Sequence, residues 1–240
     1  MSVRSVVRSP VRSVVRGVAH DAPSGAAASS LLTDLVSWWT LGEATATPRA
    51  DSKGANTLAI TGTVSQAAGK VSSCSSTASG GNTLACTSAA LSPADASFTF
   101  AGWVKLVGTG FQGILGTADG TNGWALRVSF GTTLNFLWMK GGADKQINDF
   151  TVSGSTWMFV VMGYDAGTSE VFYSVDGAAM TRSASAVGLG QNTTFQLHEP
   201  PLTGGGGCDI DECAFWSRVL TDAEITELYN AGNGITYADL

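Results

Sequence analysis

The fold class predicted for this chain is all-β: an antiparallel β-sandwich carrying one short C-terminal helix and preceded by an extended N-terminal arm. Three observations predict it. The composition, 30 glycines and only 13% charged residues in 240, suits many short strands joined by tight turns. Short apolar runs recur between turn residues, at Phe98 to Val104, Gly123 to Phe130, Leu134 to Met139, Trp157 to Tyr164 and Glu170 to Val175. Helix signals concentrate in one place near the end of the chain. There Thr221 is a good N-cap, Glu224 three residues on completes a capping box, Ile225, Leu228 and Tyr229 form one apolar stripe, and Asn230 and Gly232 end it. A stretch of about 200 residues can bury one large sandwich core. Seven tryptophans and ten phenylalanines supply its apolar area.

Residues 1–20 are a different kind of sequence. Val3-Arg4-Ser5-Val6-Val7-Arg8-Ser9-Pro10 is followed by Val11-Arg12-Ser13-Val14-Val15-Arg16-Gly17-Val18, a tandem octad with an arginine at every fourth position. Pro10 argues against an uninterrupted helix. An extended chain would instead place Arg4, Arg8, Arg12 and Arg16 on one side and Val3, Val7, Val11 and Val15 on the other. Of the 13 basic side chains four are in this arm, and all 19 acidic ones lie beyond it, so the net charge of −6 combines two opposed parts. A basic tail touching nucleic acid and an uncleaved organelle-type targeting peptide both suit this composition. The third reading, preferred here, is an anchor that adds to a partner's sheet or threads a groove through those eight arginines and valines, without specific nucleic-acid recognition.

Residues 21–34, rich in Ala, Ser and Gly with Pro23, read as a flexible linker, and residues 35–240 as one folded domain. The longest uncharged apolar run, Trp157 to Tyr164, is far too short to span a bilayer, and the Arg-rich start lacks the apolar segment of a secretory signal. No membrane insertion is expected.

The domain's segments follow a recognisable order: Leu35 to Leu41, Ala50 to Leu58, Ser97 to Lys105, Trp157 to Val161, then Tyr173 to Gly177. They end on Cys208-Asp209-Ile210-Asp211-Glu212-Cys213-Ala214-Phe215-Trp216, which leads through Arg218 and Leu220 into the capped helix. Over residues 35–240 this resembles the laminin-G-like, concanavalin A-like jelly rolls, a family that mostly binds rather than catalyses. The octad arm resembles the Arg-Ser-Pro-Val-Arg-Ser repeats that begin some tailed-bacteriophage structural proteins. Together the two resemblances imply a non-enzymatic virion structural protein: a capsid decoration, head fibre or tail-associated fibre at the surface of a phage particle. Its arm would bind other virion proteins, its subunits would form a homo-oligomer, with a trimer expected, and its lectin-like domain would face host cell-surface glycan. A stand-alone carbohydrate-binding or adhesion lectin is the alternative, and a glycan depolymerase a third class, because one fold hosts all of these.

Retaining glycosidases on this fold present Glu-x-Asp-x-x-Glu on one strand, so that acid and nucleophile share a face. Asp209-Ile210-Asp211-Glu212 lacks the leading glutamate, and plain strand alternation points Asp211 and Glu212 to opposite faces. His20 and His198 are placed by no pattern near a serine or cysteine nucleophile, and no phosphate loop appears. No catalytic residue is therefore assigned.

The segments Gly116 to Trp124 and Trp138 to Asp144 combine carboxylates, amides and indoles, the mixture that grips a sugar, making Asp119, Asn122, Trp124, Trp138 and Asp144 the candidate glycan-binding residues. The same residues also read as ordinary turn and core chemistry, with Trp124 starting a strand. No cofactor is expected; calcium is the ion the resemblance allows, through Asp119, Asp144 or Asp165, and no metal ligand is assigned. Of the four cysteines, Cys208 and Cys213 are too far apart along one strand to bridge, and the resemblance gives Cys213 an apolar core position. A bridge from Cys74 to Cys86 or to Cys208 stays open.

Overall fold

In the computed structural model of the chain the described residues are 29–240, except 79, 108–111, 130–132, 153 and 199–206. The expected anchor over 1–20, with Arg4, Arg8, Arg12, Arg16, Val3, Val7, Val11 and Val15, lies outside them, as do linker residues 21–28.

In chain order the strands are β1 (Leu35–Trp39), β2 (Ala59–Thr61), β3 (Ser65–Ala68), β4 (Ser73–Ser76), β5 (Thr83–Thr87), β6 (Phe98–Leu106), β7 (Gln112–Gly116) and β8 (Gly123–Ser129). They continue as β9 (Thr133–Lys140), β10 (Ala143–Thr151), β11 (Met158–Asp165), β12 (Glu170–Val175), β13 (Thr181–Ala184), β14 (Thr194–Leu197) and β15 (Cys208–Trp216), before helix α1 (Asp222–Tyr229). Two antiparallel sheets result. One runs β13-β12-β11-β6-β15-β4-β3, with β1 also paired to β15, and the other runs β10-β9-β8-β7-β14-β5-β2. Neighbours in a sheet are often distant in sequence, as when β15 pairs with β6 and β1, which is the jelly-roll pattern of crossovers.

Period-2 alternation sorts the aromatic residues into two layers. Between the sheets lie Trp39, Phe98, Phe100, Trp124, Phe136, Trp138, Phe195 and Phe215, all buried. On the outer face of the first sheet Trp38, Trp103, Phe159, Phe172 and Trp216 form a second apolar layer with Leu220, Ile225 and Leu228. Helix α1 roofs this layer. It starts as expected: Thr221 Oγ1 accepts the Glu224 N–H at 3.2 Å and a Glu224 carboxylate oxygen accepts the Thr221 N–H at 2.9 Å. Asn230 closes it in the left-handed region at φ 47°. The Arg218 guanidinium binds both Glu224 oxygens, at 2.8 and 2.7 Å, and holds that carboxyl down to about 2.

Residues 29–34 belong to this roof rather than to a loose linker. Leu31 is buried in the outer layer, and its carbonyl accepts the Trp216 indole N–H at 2.7 Å. Arg218 also donates to the carbonyls of Thr33 and Ser30, both at 2.9 Å.

All four cysteines are free. Cys208 and Cys213 pack between the sheets and Cys86 packs against that core. On β4 the Ser75 hydroxyl points between the sheets to His198, so Cys74 points to the opposite face, away from Cys86 and Cys208, and neither bridge forms. Among the described residues no helix is long and apolar enough to cross a membrane.

Candidate functional site

The site is built by an irregularity in β15. Its pairing with β6 runs regularly to Asp211 opposite Trp103, then resumes with Ala214 opposite Ala101, so two residues, Glu212 and Cys213, stand against Gly102 alone. This is a β-bulge, with Glu212 in the left-handed region at φ 45°. Gly102 fits because a Cβ there would lie 2.6 Å from Cys213 Sγ. The bulge also shifts the alternation. Ile210 and Cys213 both face the inter-sheet core, so Asp211 and Glu212 between them both turn to the outer face. The opposed orientation expected from plain alternation is thus corrected.

The two carboxyls are held differently. One oxygen of Asp211 accepts the N–H groups of Lys70 and Val71 at 2.7 and 2.9 Å, fastening the β3–β4 turn to the sheet, and the residue is 0% exposed. Burial raises its affinity for a proton, against the pull of those N–H groups. Glu212, 4% exposed, accepts the Trp38 indole N–H on Oε2 at 2.5 Å. Burial pushes this carboxyl up to about 8, with the Trp38 N–H opposing and the charges of Asp211, Asp239 and Glu43 adding to the rise.

Glu212 forms part of the wall of a cleft of about 540 Å³. The segment after β1 contributes Thr40 and Glu43, the start of β4 contributes Ser72 and Ser73, and the C-terminal turn contributes Thr236 and Tyr237. That turn is fixed by Asp239, whose carboxylate accepts from the Thr236 N–H at 2.7 Å and from its hydroxyl at 2.9 Å. Tyr237 leans on Trp38 with ring centroids 6.2 Å apart. Glu43 accepts the Ala50 N–H at 2.6 Å and faces the buried Arg49 at 3.7 Å. A carboxyl, several hydroxyls and an aromatic ring thus converge on one concavity, the chemistry of a polyhydroxylated ligand site. Asp211 is closed off, so the adjacent acid pair cannot act as acid and nucleophile on one substrate.

The residues singled out from the sequence are dispersed. Trp124 and Trp138 are closed in the core, with the Trp124 indole N–H donating to the Leu91 carbonyl at 3.0 Å, so neither ring offers a face to a ligand. Asp119 is exposed and accepts from the Thr121 and Asn122 N–H groups, both at 2.8 Å, a turn of the expected kind. Asn122 reaches the 141–142 hairpin turn by accepting the Gly141 N–H at 3.0 Å. Asp144 instead accepts from Gln146, within a polar network on the outer face of the second sheet that includes Arg127, Asn135 and Asn148. Asp165 pairs with Arg182 at 2.9 Å. These carboxylates form no common calcium site, and among the described residues no group of three His, Cys, Asp or Glu is placed to hold a metal.

His198 does meet a serine and a cysteine, which no sequence pattern indicated. Its Nε2 lies 2.8 Å from Ser75 Oγ and its Nδ1 3.2 Å from Cys208 Sγ. All are buried; burial lowers the imidazole to about 3 and raises the Cys208 thiol, so the pair stays neutral and serves packing.

The Laminin_G_3 family model, described as the Concanavalin A-like lectin/glucanases superfamily, matches residues 78–226, more than half of the chain. No curated protein matches the sequence. Solved structures that resemble it include the binding domain of Paraclostridial Mosquitocidal Protein 1, with TM-score 0.69 and 14% identity. Another is from botulinum neurotoxin type C, whose cell entry depends on interaction with two ganglioside molecules, with TM-score 0.67 and 13% identity. A third is the binding domain of botulinum neurotoxin DC in complex with rat synaptotagmin II, with TM-score 0.66 and 14% identity. Each match covers 84% of this chain but only 52 or 53% of the other, so the chain spans about half the length of these proteins. At such identities the likeness is one of fold.

Proposed function

This chain belongs to the concanavalin A-like lectin/glucanases superfamily, and from that premise we propose that it is a non-enzymatic, lectin-like binding protein whose ligand is a cell-surface glycan. The observation that carries the reading is the Glu212 cleft, where a raised carboxyl, serine and threonine hydroxyls and the Tyr237 ring meet in about 540 Å³. Placing a carboxyl in a left-handed, buried position beside a second carboxyl is unfavourable for stability, and such arrangements concentrate at functional sites. The toxin binding domains of similar fold, one tied to gangliosides, agree with a receptor-facing role.

With this reading goes that of the octad arm as an anchor into a bacteriophage particle, making the chain a capsid decoration, head fibre or tail-associated fibre, expected as a trimer. The support is the repeated Arg and Val pattern over Val3 to Val18 and its resemblance to phage structural proteins.

The test is a glycan array followed by calorimetry on the full chain, with reducing-end release measured on the glycans that bind. Saturable binding without turnover, weakened at least about tenfold by Tyr237→Ala, is expected. Turnover that disappears in Glu212→Gln or Glu43→Gln would replace the lectin with a depolymerase. Binding unaffected by Tyr237→Ala would move the site elsewhere, first to the Asp119 and Asn122 rim.

A further inference from the structure

We infer that the Glu212 cleft selects glycans bearing a free, positively charged amine, with the ammonium seated on Glu212 and the sugar ring against Tyr237. The inference deepens the glycan-binding reading and rests on it.

The charge around the cleft is one-sided. Glu212 is 4% exposed and lines the cleft, and only its Oε2 is engaged, by Trp38. Among the described residues its other oxygen has no hydrogen-bond partner and is not sealed in the interior, so it is the acceptor presented to a ligand. Three further carboxyls bear on it: Asp211 from the same strand, Glu43 from the segment after β1 and Asp239 from the C-terminal turn. Of the neighbouring cations one offsets Glu43, and neither pairs with Glu212. Arg49 faces Glu43 at 3.7 Å, and Lys70 Nζ lies over the Trp103 ring at 5.0 Å from its centroid. Among the described residues Glu212, Asp211 and Asp239 stand in no ion pair. Glu212, a buried carboxyl at the cleft wall without a countercharge, favours a cationic ligand, because the ligand then supplies the missing half of a charge-assisted hydrogen bond.

The cation is organic rather than metallic. No group of three potential metal ligands is assembled among the described residues, and a cleft of about 540 Å³ is far larger than a bare ion requires. It falls in the range of small-molecule sites. Ser52, Ser73 and Thr236 on its wall can serve ring hydroxyls, and the Tyr237 face suits a cation or the apolar face of a sugar.

A proton is coupled to the event. With its carboxyl pushed up to about 8, free Glu212 holds a proton at neutral pH. The arriving ammonium stabilises the carboxylate, and the proton leaves to solvent. Amine-dependent binding therefore strengthens as pH rises from 6 to 7, whereas binding of a neutral glycan does not.

The deciding experiment is calorimetry on the full chain at pH 6 and pH 7 with three probes: a glucosamine oligosaccharide, its N-acetylated counterpart and a cello-oligosaccharide of equal length. The expected result is at least about tenfold tighter binding of the amine form, an advantage that grows toward pH 7, proton release detected by varying the buffer, and loss of the advantage in Glu212→Gln. Should Glu212→Gln not fold by circular dichroism, Glu43→Gln carries the test and is expected to reduce the advantage. Equal binding of all three probes, or an advantage untouched by these variants, overturns the amine preference while leaving the glycan site standing. Binding of none of the probes, nor of any array glycan, removes the glycan reading and the inference with it.

Discussion

Glu212 is a residue whose ionisation works against the fold as pH rises. In the unfolded chain it releases its proton near 4.5, in the folded one near 8, so between those values the native state holds the extra proton and loses stability as pH increases. The slope from this one group is at most about 1.4 kcal/mol per pH unit. Glu212→Gln keeps an acceptor for the Trp38 N–H and removes the titration. Denaturant unfolding at pH 5, 6, 7 and 8 should therefore show the wild type declining relative to Glu212→Gln, with the gap widening toward pH 8. A constant gap would mean that Glu212 does not titrate in this window. Glu224 has the opposite sign: its carboxyl, held near 2 by Arg218, stabilises the fold above 4.5, and that contribution is lost as pH falls toward 2.

At the scale of elements β15 decides most of the architecture, since β1, β4 and β6 all pair with it. After the bulge it sends Phe215 between the sheets, stacked on Phe98 at 5.3 Å, and Trp216 outward beneath the roof, edge-on to Trp38 at 6.2 Å. Side-chain alternation along a strand makes this division of adjacent aromatics legible in the sequence, and the β-sandwich and the capped helix at Thr221 are legible there too. The bulge was not legible. It depends on Cys213 crossing over Gly102, a contact between residues 111 positions apart that no local pattern encodes, and the outward turn of Glu212, and with it the cleft, follows from that contact. Trp124 and Trp138 carried two readings in the sequence, a sugar-facing one from their polar loop neighbours and a core one from the apolar runs they belong to, and the alternation of β8 and β9 closes both indoles inside. Truncating either β15 aromatic leaves a large cavity, a loss of about 3 to 5 kcal/mol. Phe215→Ala and Trp216→Ala should each lower the melting temperature sharply. Trp216→Ala should in addition free the 29–34 turn, which loses the bond to the Leu31 carbonyl, and hydrogen exchange at residues 30–33 would report it. A shift of only a degree in either variant would contradict the two-layer packing.

For the molecule as a whole the question is whether the arm and the sandwich are separable. Every contact described for the roof begins at Ser29: its hydroxyl donates to Glu227 at 3.1 Å, Ser30 donates to Glu224 at 2.7 Å, and Leu31 fills the outer layer. The chain thus enters the domain beside α1, and residues 2–18 lie upstream of all of these contacts. Their removal takes away four arginines and leaves the acidic remainder intact. Deletion of residues 2–18 should leave a folded protein with its melting temperature changed by no more than about a degree, since no buried area is lost from the described core. On the proposed anchor reading it should also abolish incorporation into a phage particle, measured by co-sedimentation of the full and truncated chains with virions. Replacing Arg4, Arg8, Arg12 and Arg16 by glutamine separates the two faces of the arm: partial, salt-insensitive loading would assign attachment to the valines, and complete loss would assign it to charge. Normal loading of the truncated chain would end the anchor reading and move attachment to the remaining residues. A truncated chain that fails to fold would instead show that the arm belongs to the domain.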